Sequence, residues 1–379
     1  MQPERSLREL NRATLERQAL LERARGSVAD VVGHLAGLQA QHADSPYIAL
    51  WSRRADQTIA DLESALNDRT VVKATVMRST LHLVAATDYP VFDVASAEAR
   101  IVNWQPTARR NGLDLERLHE ALLAYCDEPR SVADIEGHLA MVVGGRPAAT
   151  PVGVRNVVFR MASAAGGLVH VPPSGLWHSH GKPRYVDARR WLRNDGQAGR
   201  DAALRDAALR EAIARYLRAY GPASLEDIAK WVGQPRPARV RAAVDRLGER
   251  VSWSVGPAAR PLVDLVDAPE PDPDRPAPPR FLSRWDSVLI AYALRDRILP
   301  TKYRDDVIRK NGDFLPTFIV DGFVAGIWSA EVKGGAATLH LTPFSMIPAA
   351  ERRALEAEAE RLVRYVEPEA DRHAVTWAA

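Results

Sequence analysis

The chain has 379 residues, 26% of them charged and 46% hydrophobic, which is the balance of a soluble globular protein too long for one small core. No apolar run approaches the roughly eighteen residues of a membrane span, and the N-terminus lacks a secretory signal, so we expect a cytoplasmic protein. A single cysteine, Cys126, excludes an internal disulfide and a cysteine-based zinc site. The formal charge is +3, and arginine outnumbers lysine 45 to six. That bias suits phosphate contacts and equally fits a GC-rich genome.

The first predicted helices precede two amide side chains. An amphipathic pattern predicts a helix over residues 7–25, and a capping box at Ser27 opens a second helix. Gln39 and Gln41 follow it. Residues i and i+2 share a face only in extended or turn-like backbone, so the two amides converge only if the helix ends near Gly37 or distorts. The Asp-Ser-Pro signal at 44–46 favours an end there. On the residues alone, the pair either satisfies backbone groups at a helix end or forms a site.

The rest of this first segment is predicted to hold a helix over 58–67 and a strand over 76–84. On that strand Arg78 and His82 alternate with apolar residues, so both lie on one face. They either line a groove or face solvent.

The helix that begins at Ser27 recurs twice. Residues 131–140 match 27–36 at eight of ten positions, and residues 224–233 match them more weakly. In both later copies a long helix comes before the repeat, and another helix and alternating strands come after it. The predicted helices are 115–126 and 152–164 around the second copy, and 204–220 and 238–247 around the third. Helix, helix, turn, helix and hairpin is the plan of a winged helix-turn-helix.

The predicted hairpin of the second copy has a basic and aromatic tip. It pairs residues 167–171 with 176–185, and the second strand carries His178, His180, Lys182 and Arg184. His178 and His180 would share a face, as metal ligands do, but no third ligand of suitable spacing lies near, so no metal is expected. A solvated wing tip that touches phosphate is the preferred interpretation.

These patterns predict a mainly α fold with β-hairpins (α+β). It comprises three tandem winged helix-turn-helix modules followed by a small C-terminal α+β domain. The Pro- and Asp-rich stretch that begins near Leu262 predicts a stiff, solvated linker before that domain. The predicted boundaries are 1–105, 106–200 and 201–266 for the three modules, 267–279 for the linker and 280–379 for the C-terminal domain.

The C-terminal domain is predicted to contain strand-like segments at 281–293 and 317–332, antiparallel pairing of 324–328 with 337–341, and a helix over 349–365. None of the motifs GxGxxG, Walker A, GxSxG or HExxH is present, so no motif of those enzyme classes assigns a function.

Four short stretches, taken in order, nevertheless resemble the AlkZ/YcaQ family of winged-helix DNA glycosylases over nearly the whole chain. They are Gly-Leu-Gln-Ala-Gln at 37–41, Ala-Leu-Trp at 49–51, Met-Arg-Ser-Thr-Leu-His-Leu at 77–83 and Trp-Asp-Ser-Val-Leu-Ile at 285–290. The resemblance implies three winged helices in a C-shape around DNA, excision of N7-alkylated purines and, in some members, unhooking of interstrand crosslinks made by alkylating natural products.

The family's catalytic element is Gln-x-Gln or Gln-x-Asp, and the matching positions are Gln39 and Gln41. The amide form resembles the crosslink-directed branch. The resemblance further implies a cofactor-free monofunctional hydrolase, acting as a monomer on duplex DNA in base excision repair or in self-resistance to an antibiotic. Contacts with the duplex are expected from six residues, namely Arg78, His82, His178, His180, Lys182 and Arg184.

The chemistry suits amide side chains. An N7-alkylguanine already bears positive charge, so its base leaves without protonation, and amide oxygens aimed at a water and at the sugar cation could supply preorganisation. The alternatives are a non-catalytic winged-helix DNA-binding protein such as a transcription regulator, and a drug-sequestering protein of the same fold. Base release from DNA that contains N7-methylguanine would distinguish the glycosylase hypothesis from both alternatives.

Overall fold

The computed structural model describes residues 3–145, 155–179, 181–193, 201–270 and 272–378. In these ranges no helix combines the length and the apolar character that crossing a membrane requires. The fold is a mixture of helices and sheets, as the composition and periodicity predict, and it falls into four consecutive segments.

The first segment contains five helices and three strands. They are α1 (Leu7–Arg17), α2 (Val28–His34), β1 (Leu38–Gln39), α3 (Ser45–Arg53), α4 (Ile59–Asn67), β2 (Val71–Thr75), β3 (Leu81–Ala85) and α5 (Tyr89–Arg110). The second segment comprises α6 (Leu115–Tyr125), β4 (Arg130–Ser131), α7 (Val132–Val142), α8 (Val157–Ala162), β5 (Leu168–Val171), β6 (Arg184–Asp187) and α9 (Ala188–Leu192).

The third segment comprises α10 (Ala202–Tyr220), α11 (Leu225–Val232), α12 (Pro237–Asp245), β7 (Val251–Gly256) and β8 (Arg260–Leu265). The fourth comprises β9 (Arg280–Leu282), α13 (Ser287–Ile290), α14 (Arg304–Val307), β10 (Thr317–Val320), β11 (Phe323–Lys333), β12 (Ala336–Pro343), α15 (Ala349–Val366) and β13 (Arg372–Trp377).

All three repeated helix starts are capping boxes. The hydroxyls of Ser27, Ser131 and Ser224 each accept a hydrogen bond from the backbone N–H three residues on, and the Asp at that position accepts one in return. The two partners lie three residues apart and need no tertiary contact, so the capping box can be predicted from the sequence. In the second and third segments the helix–helix–helix–hairpin order follows as predicted, whereas in the first segment β1 separates α2 from the next helix.

One six-stranded sheet joins the first two segments, in the order β1-β3-β2-β5-β6-β4. The two hairpins meet where Lys73 of β2 pairs with His170 of β5. The fourth segment has its own five-stranded sheet, β13-β12-β11-β10-β9, in which β11 and β12 form the predicted antiparallel pair around the turn at Gly334. Helix α15 covers that sheet.

Several predicted boundaries were wrong because buried contacts override the local pattern. Helix α1 ends at Arg17, since the chain turns at Ala19 (φ 51°) and buries Leu20 and Leu21 with Leu282 of β9. The solvated linker does not begin at Leu262, because residues 260–265 form β8 and its apolar side chains are buried.

The strand predicted over 281–293 stops at Leu282, because the Asp286 carboxylate accepts a hydrogen bond from the Val288 N–H and opens α13. The second strand of the predicted 167–185 hairpin begins only at Arg184, because Trp177 turns to pack against Tyr47. His178 therefore lies in a turn and not in a strand.

A buried ion pair connects the first segment with the fourth. The Arg53 guanidinium donates to both carboxylate oxygens of Asp286, at 3.0 and 2.6 Å, and both side chains are fully inaccessible. Arg53 also donates to the Ala49 carbonyl oxygen. In such a pair each charge compensates the other. Removal of either partner would leave an uncompensated buried charge.

We therefore expect Asp286→Asn to lower the free energy of unfolding by about 3–5 kcal/mol, because it leaves Arg53 buried and unpaired. The matched control is Asp305→Asn, whose partner Arg304 is exposed, and its effect should stay below about 1 kcal/mol. Urea unfolding of both variants measures the difference. Equal effects of the two substitutions would contradict the importance of the buried pair.

Candidate active site

The two glutamines are positioned by a helix that stops and a short strand that starts. Helix α2 ends at His34, and the backbone turns through Ala36 (φ 56°) and Gly37 (φ 88°). A Cβ at Gly37 would lie 3.0 Å from Val84 and 3.2 Å from the Leu83 carbonyl oxygen, so the close approach also requires glycine. The prediction that the helix ends near Gly37 is confirmed.

The turn places Gln39 in β1, opposite His82 of β3. Gln39 is 3% exposed. Gln41, two residues on, lies beyond the strand and is exposed. The two amides therefore have different environments, one buried against the sheet and the other open to solvent.

Gln39 belongs to a hydrogen-bonded relay with Arg78 and His82. Arg78 Nη2 lies 2.8 Å from Gln39 Oε1 and 3.0 Å from His82 Nε2. His82 Nδ1 lies 2.9 Å from the carbonyl oxygen of Thr80. Because that carbonyl can only accept, Nδ1 carries the proton and Nε2 accepts from the guanidinium, which makes His82 a neutral imidazole.

Burial and the charge of Arg78 favour the same neutral state of His82. Burial, with the Arg78 charge as the next contribution, lowers the pKa of His82 to about 3. Burial also lowers the pKa of Arg78 to about 10, so it stays protonated at neutral pH. Within the described residues no carboxylate lies within salt-bridge distance of Arg78. Among these residues, Arg78 therefore pairs with Gln39 and His82 and not with a carboxylate.

The loop that carries Arg78 was predicted as strand, and this prediction was wrong. Residues 77–79 form a 3-10 turn in which Arg78 and Ser79 have φ values of 54° and 57°. Gly233, the residue that ends α11 in the third segment, packs against this loop so closely that a Cβ there would lie 3.2 Å from the Arg78 backbone nitrogen. Packing of the third segment against this loop therefore stabilises a left-handed backbone conformation. The alternation of polar and apolar residues could not predict it.

Gln41 lines a cleft of about 1020 Å³ between the first and second segments. Its walls come from α5, from the start of α7, from α8 and from the two hairpins. The polar and aromatic side chains of the wall include Arg100, Asn103, Trp104, Phe159, Arg160, His170, Lys182 and Tyr185.

Of the residues predicted to contact DNA, Lys182 lines the same cleft as Gln41. Arg184 is exposed at the start of β6 and donates to the Pro129 carbonyl oxygen. His178 lines a separate cleft of about 450 Å³, together with Trp177 and Arg284. The predicted residue His180 lies outside the described residues.

The comparisons with known proteins identify the family. The family model of AlkZ-like DNA glycosylases matches residues 32–365, which include Gln39, Gln41 and the whole cleft lining. The chain belongs to the AlkZ-like DNA glycosylase family. The sequence resemblance is thereby confirmed, and the chain is an enzyme of the glycosylase class.

A curated protein and a solved structure, both from Streptomyces sahachiroi, are similar to this AlkZ-like glycosylase. A protein named interstrand DNA cross-link repair glycosylase is 25% identical over 362 residues, which cover 92% of this chain and 94% of the relative. The solved structure of the DNA glycosylase AlkZ superposes with a TM-score of 0.80 at 22% identity. The match covers 99% of this chain and 100% of that one, so the two share a fold.

Sequence patterns missed part of the cleft of this glycosylase. Trp104 and Asn103 line it from α5, and Phe159 lines it from α8. The only available signal was local, since residues 103–105 place an aromatic ring between two amides on one helix. The approach of Phe159 to Gln41 depends on the sheet that joins the two segments, and a sequence pattern does not encode that distance.

The buried histidines generate a prediction about acid stability. The pKa values of His82 and His170 are lowered to about 3 by burial and by Arg78 and Lys73, respectively. Below the ordinary histidine pKa of about 6.5 the unfolded chain therefore binds protons that the folded enzyme does not. As the pH is lowered below that value, the free energy of unfolding should therefore decrease by up to about 1.4 kcal/mol per pH unit for each histidine.

Urea unfolding from about pH 7 down to about pH 5 measures this slope. His82→Gln and His170→Gln should each flatten it. Unchanged slopes in the two buried-site variants would exclude these histidines as the source of acid sensitivity.

Proposed function

We propose that this glycosylase hydrolyses the N-glycosidic bond of N7-alkylated purines in duplex DNA, including purines joined in interstrand crosslinks. We propose further that it acts as a monomer, with its three repeated segments working as winged helix-turn-helix modules on the duplex. Gln39 and Gln41 carry the reaction in this proposal. It is supported most directly by one observation: an exposed amide, Gln41, lines a cleft of about 1020 Å³.

The reaction needs little acid or base chemistry. An N7-alkylated purine is cationic, so the electron pair of the breaking bond between N9 and C1′ moves into the base, which leaves neutral. The oxygen of a water molecule bonds to C1′, and the water's proton passes to solvent. Gln41 can accept a hydrogen bond from that water and hold it near the sugar, which lowers the barrier by orientation.

Crosslinked substrates are suggested by two observations. The Streptomyces sahachiroi relative is named for interstrand crosslink repair. The cleft, at about 1020 Å³, is just above the range of about 300–1,000 Å³ typical of sites for drug-sized ligands. A bulky substituent on the purine could therefore lie beside Gln41. A base tied to the opposite strand cannot be extruded fully, so an open cleft suits it better than a closed pocket.

The regulator alternative is not favoured by the basic residues of the third segment. Arg239, on α12, forms ion pairs with Glu98 and Asp206, and Arg246, just beyond the end of α12, pairs with Asp206. A recognition helix must present such side chains to base edges. In this enzyme they hold α12 against α5 and α10.

The catalytic proposal predicts that Gln39→Ala and Gln41→Ala each slow the single-turnover release of N7-methylguanine. A reduction on the order of 10² to 10³ is typical when a preorganised contact to the transition state is lost. DNA affinity and melting temperature should stay close to wild type. Unimpaired excision by the double variant would remove both residues from the mechanism, and a loss in step with thermal stability would make their role structural.

The DNA-binding proposal predicts that replacing Lys182 and Arg184 together by Ala weakens binding to undamaged duplex of any sequence. Each lost phosphate contact should flatten the slope of log K against log salt by about one unit. The exposed residue Arg353 on α15, replaced by Ala, serves as a surface-charge control. Tight binding to one operator-like sequence would instead support a regulator.

A further inference from the structure

The amide of Gln39 can have only one orientation. The atom that faces Arg78 Nη2 at 2.8 Å must accept a hydrogen bond, because a guanidinium has only donors. That atom is therefore Oε1, and the hydroxyl of Thr80 contacts the same oxygen at 3.4 Å. Rotating the amide by half a turn would set two donors against each other and would lose a charge-assisted hydrogen bond.

Arg78 itself has little freedom to release this oxygen. Its Nη2 also donates to His82, whose ring is fixed by the hydrogen bond to the Thr80 carbonyl. Its backbone is held in the left-handed region under Gly233. The contact with His82 and the fixed backbone of the loop thus hold the guanidinium in place, and it donates one N–H to Gln39.

The amide nitrogen of Gln39 is the group that remains available. Among the described residues nothing accepts a hydrogen bond from Gln39 Nε2, and this atom does not belong to the fully buried unpaired ones, so solvent reaches it. Its neighbours Thr80 and Gln41 line the cleft. The two glutamines therefore offer different chemistry: Gln39 offers a donor, and Gln41 offers an amide that has no hydrogen-bond partner among the described residues.

We infer that Gln39 serves as a hydrogen-bond donor to an acceptor atom of the lesion nucleotide, with Arg78 as its positioning residue, while Gln41 alone orients the water. This inference rests on the proposed function of the site. It departs from the sequence-based expectation that both amide oxygens face the water and the sugar cation. The acceptor belongs to the phosphate next to the lesion or to the edge of the damaged base.

Carboxylate substitutions separate donor from acceptor roles. Glu at position 39 would still accept from Arg78 but would have no N–H to donate, so Gln39→Glu should lower the saturated single-turnover rate about as much as Gln39→Ala, on the order of 10² to 10³. Gln41→Glu keeps an acceptor for the water and should stay within about tenfold of wild type. The matched control is Gln57→Glu, because Gln57 Oε1 accepts from Arg54 at 3.1 Å in a pair away from the cleft.

A double-variant cycle tests the positioning role of Arg78. Arg78→Met should lower the saturated rate by a factor similar to that of Gln39→Glu, and the double variant should be no slower than either, because both changes remove the same oriented donor. Arg54→Met should leave the rate unchanged. Multiplicative losses in the double variant, with melting temperatures equal to those of the single variants, would overturn this role.

Binding to a duplex with a 2′-fluorinated N7-methylguanine nucleotide, which resists hydrolysis, gives a readout without turnover. Gln39→Glu should reduce the preference for this lesion over undamaged DNA. A neutral methylphosphonate beside the lesion should abolish the difference between wild type and variant if the acceptor is phosphate, and should preserve it if the acceptor is the base. Full excision and full lesion preference in Gln39→Glu would overturn the donor role, whereas lack of base release by the wild-type enzyme would overturn the proposed function itself.

Discussion

The position of the Gln39–Gln41 stretch depends on the buried ion pair between Arg53 and Asp286. The chain leaves the sheet after Gln39, exposes Gln41 and enters α3 at Ser45. Helix α3 is held at its end by Arg53, whose two hydrogen bonds to Asp286 are made without solvent. The exposed glutamine therefore lies on a short loop between two anchored elements, and a loop held at both ends can present a side chain with little loss of entropy.

Further contacts extend this anchor to other parts of the chain. At the start of α3 the Ser45 hydroxyl donates to the Arg284 carbonyl oxygen at 2.9 Å, and the Tyr47 hydroxyl donates to the Gly175 carbonyl oxygen at the same distance. The fourth and second segments thus both touch the helix that follows Gln41. This explains why a domain remote in sequence contributes to the geometry of the site.

Arginine richness has a structural explanation in much of the molecule. Arg12, Arg17, Arg100 and Arg297 are buried, and each donates to one or more backbone carbonyl oxygens. A planar guanidinium offers five donors in a fixed fork and can reach several such carbonyls at once, whereas a lysine offers three donors from a single nitrogen. The basic composition is therefore a poor guide to where DNA binds.

The sequence by itself determined what depends on neighbours along the chain. The capping boxes at Ser27, Ser131 and Ser224, the end of α2 near Gly37 and the β11–β12 turn are set by hydrogen bonds and backbone preferences within a few residues, and the ordered family motifs identified the enzyme class. Tertiary structure alone decided that Arg78 leaves its predicted strand, orients Gln39 and contacts His82. That arrangement needs the left-handed loop under Gly233, and a contact between residues more than 150 positions apart leaves no periodic signal in either stretch.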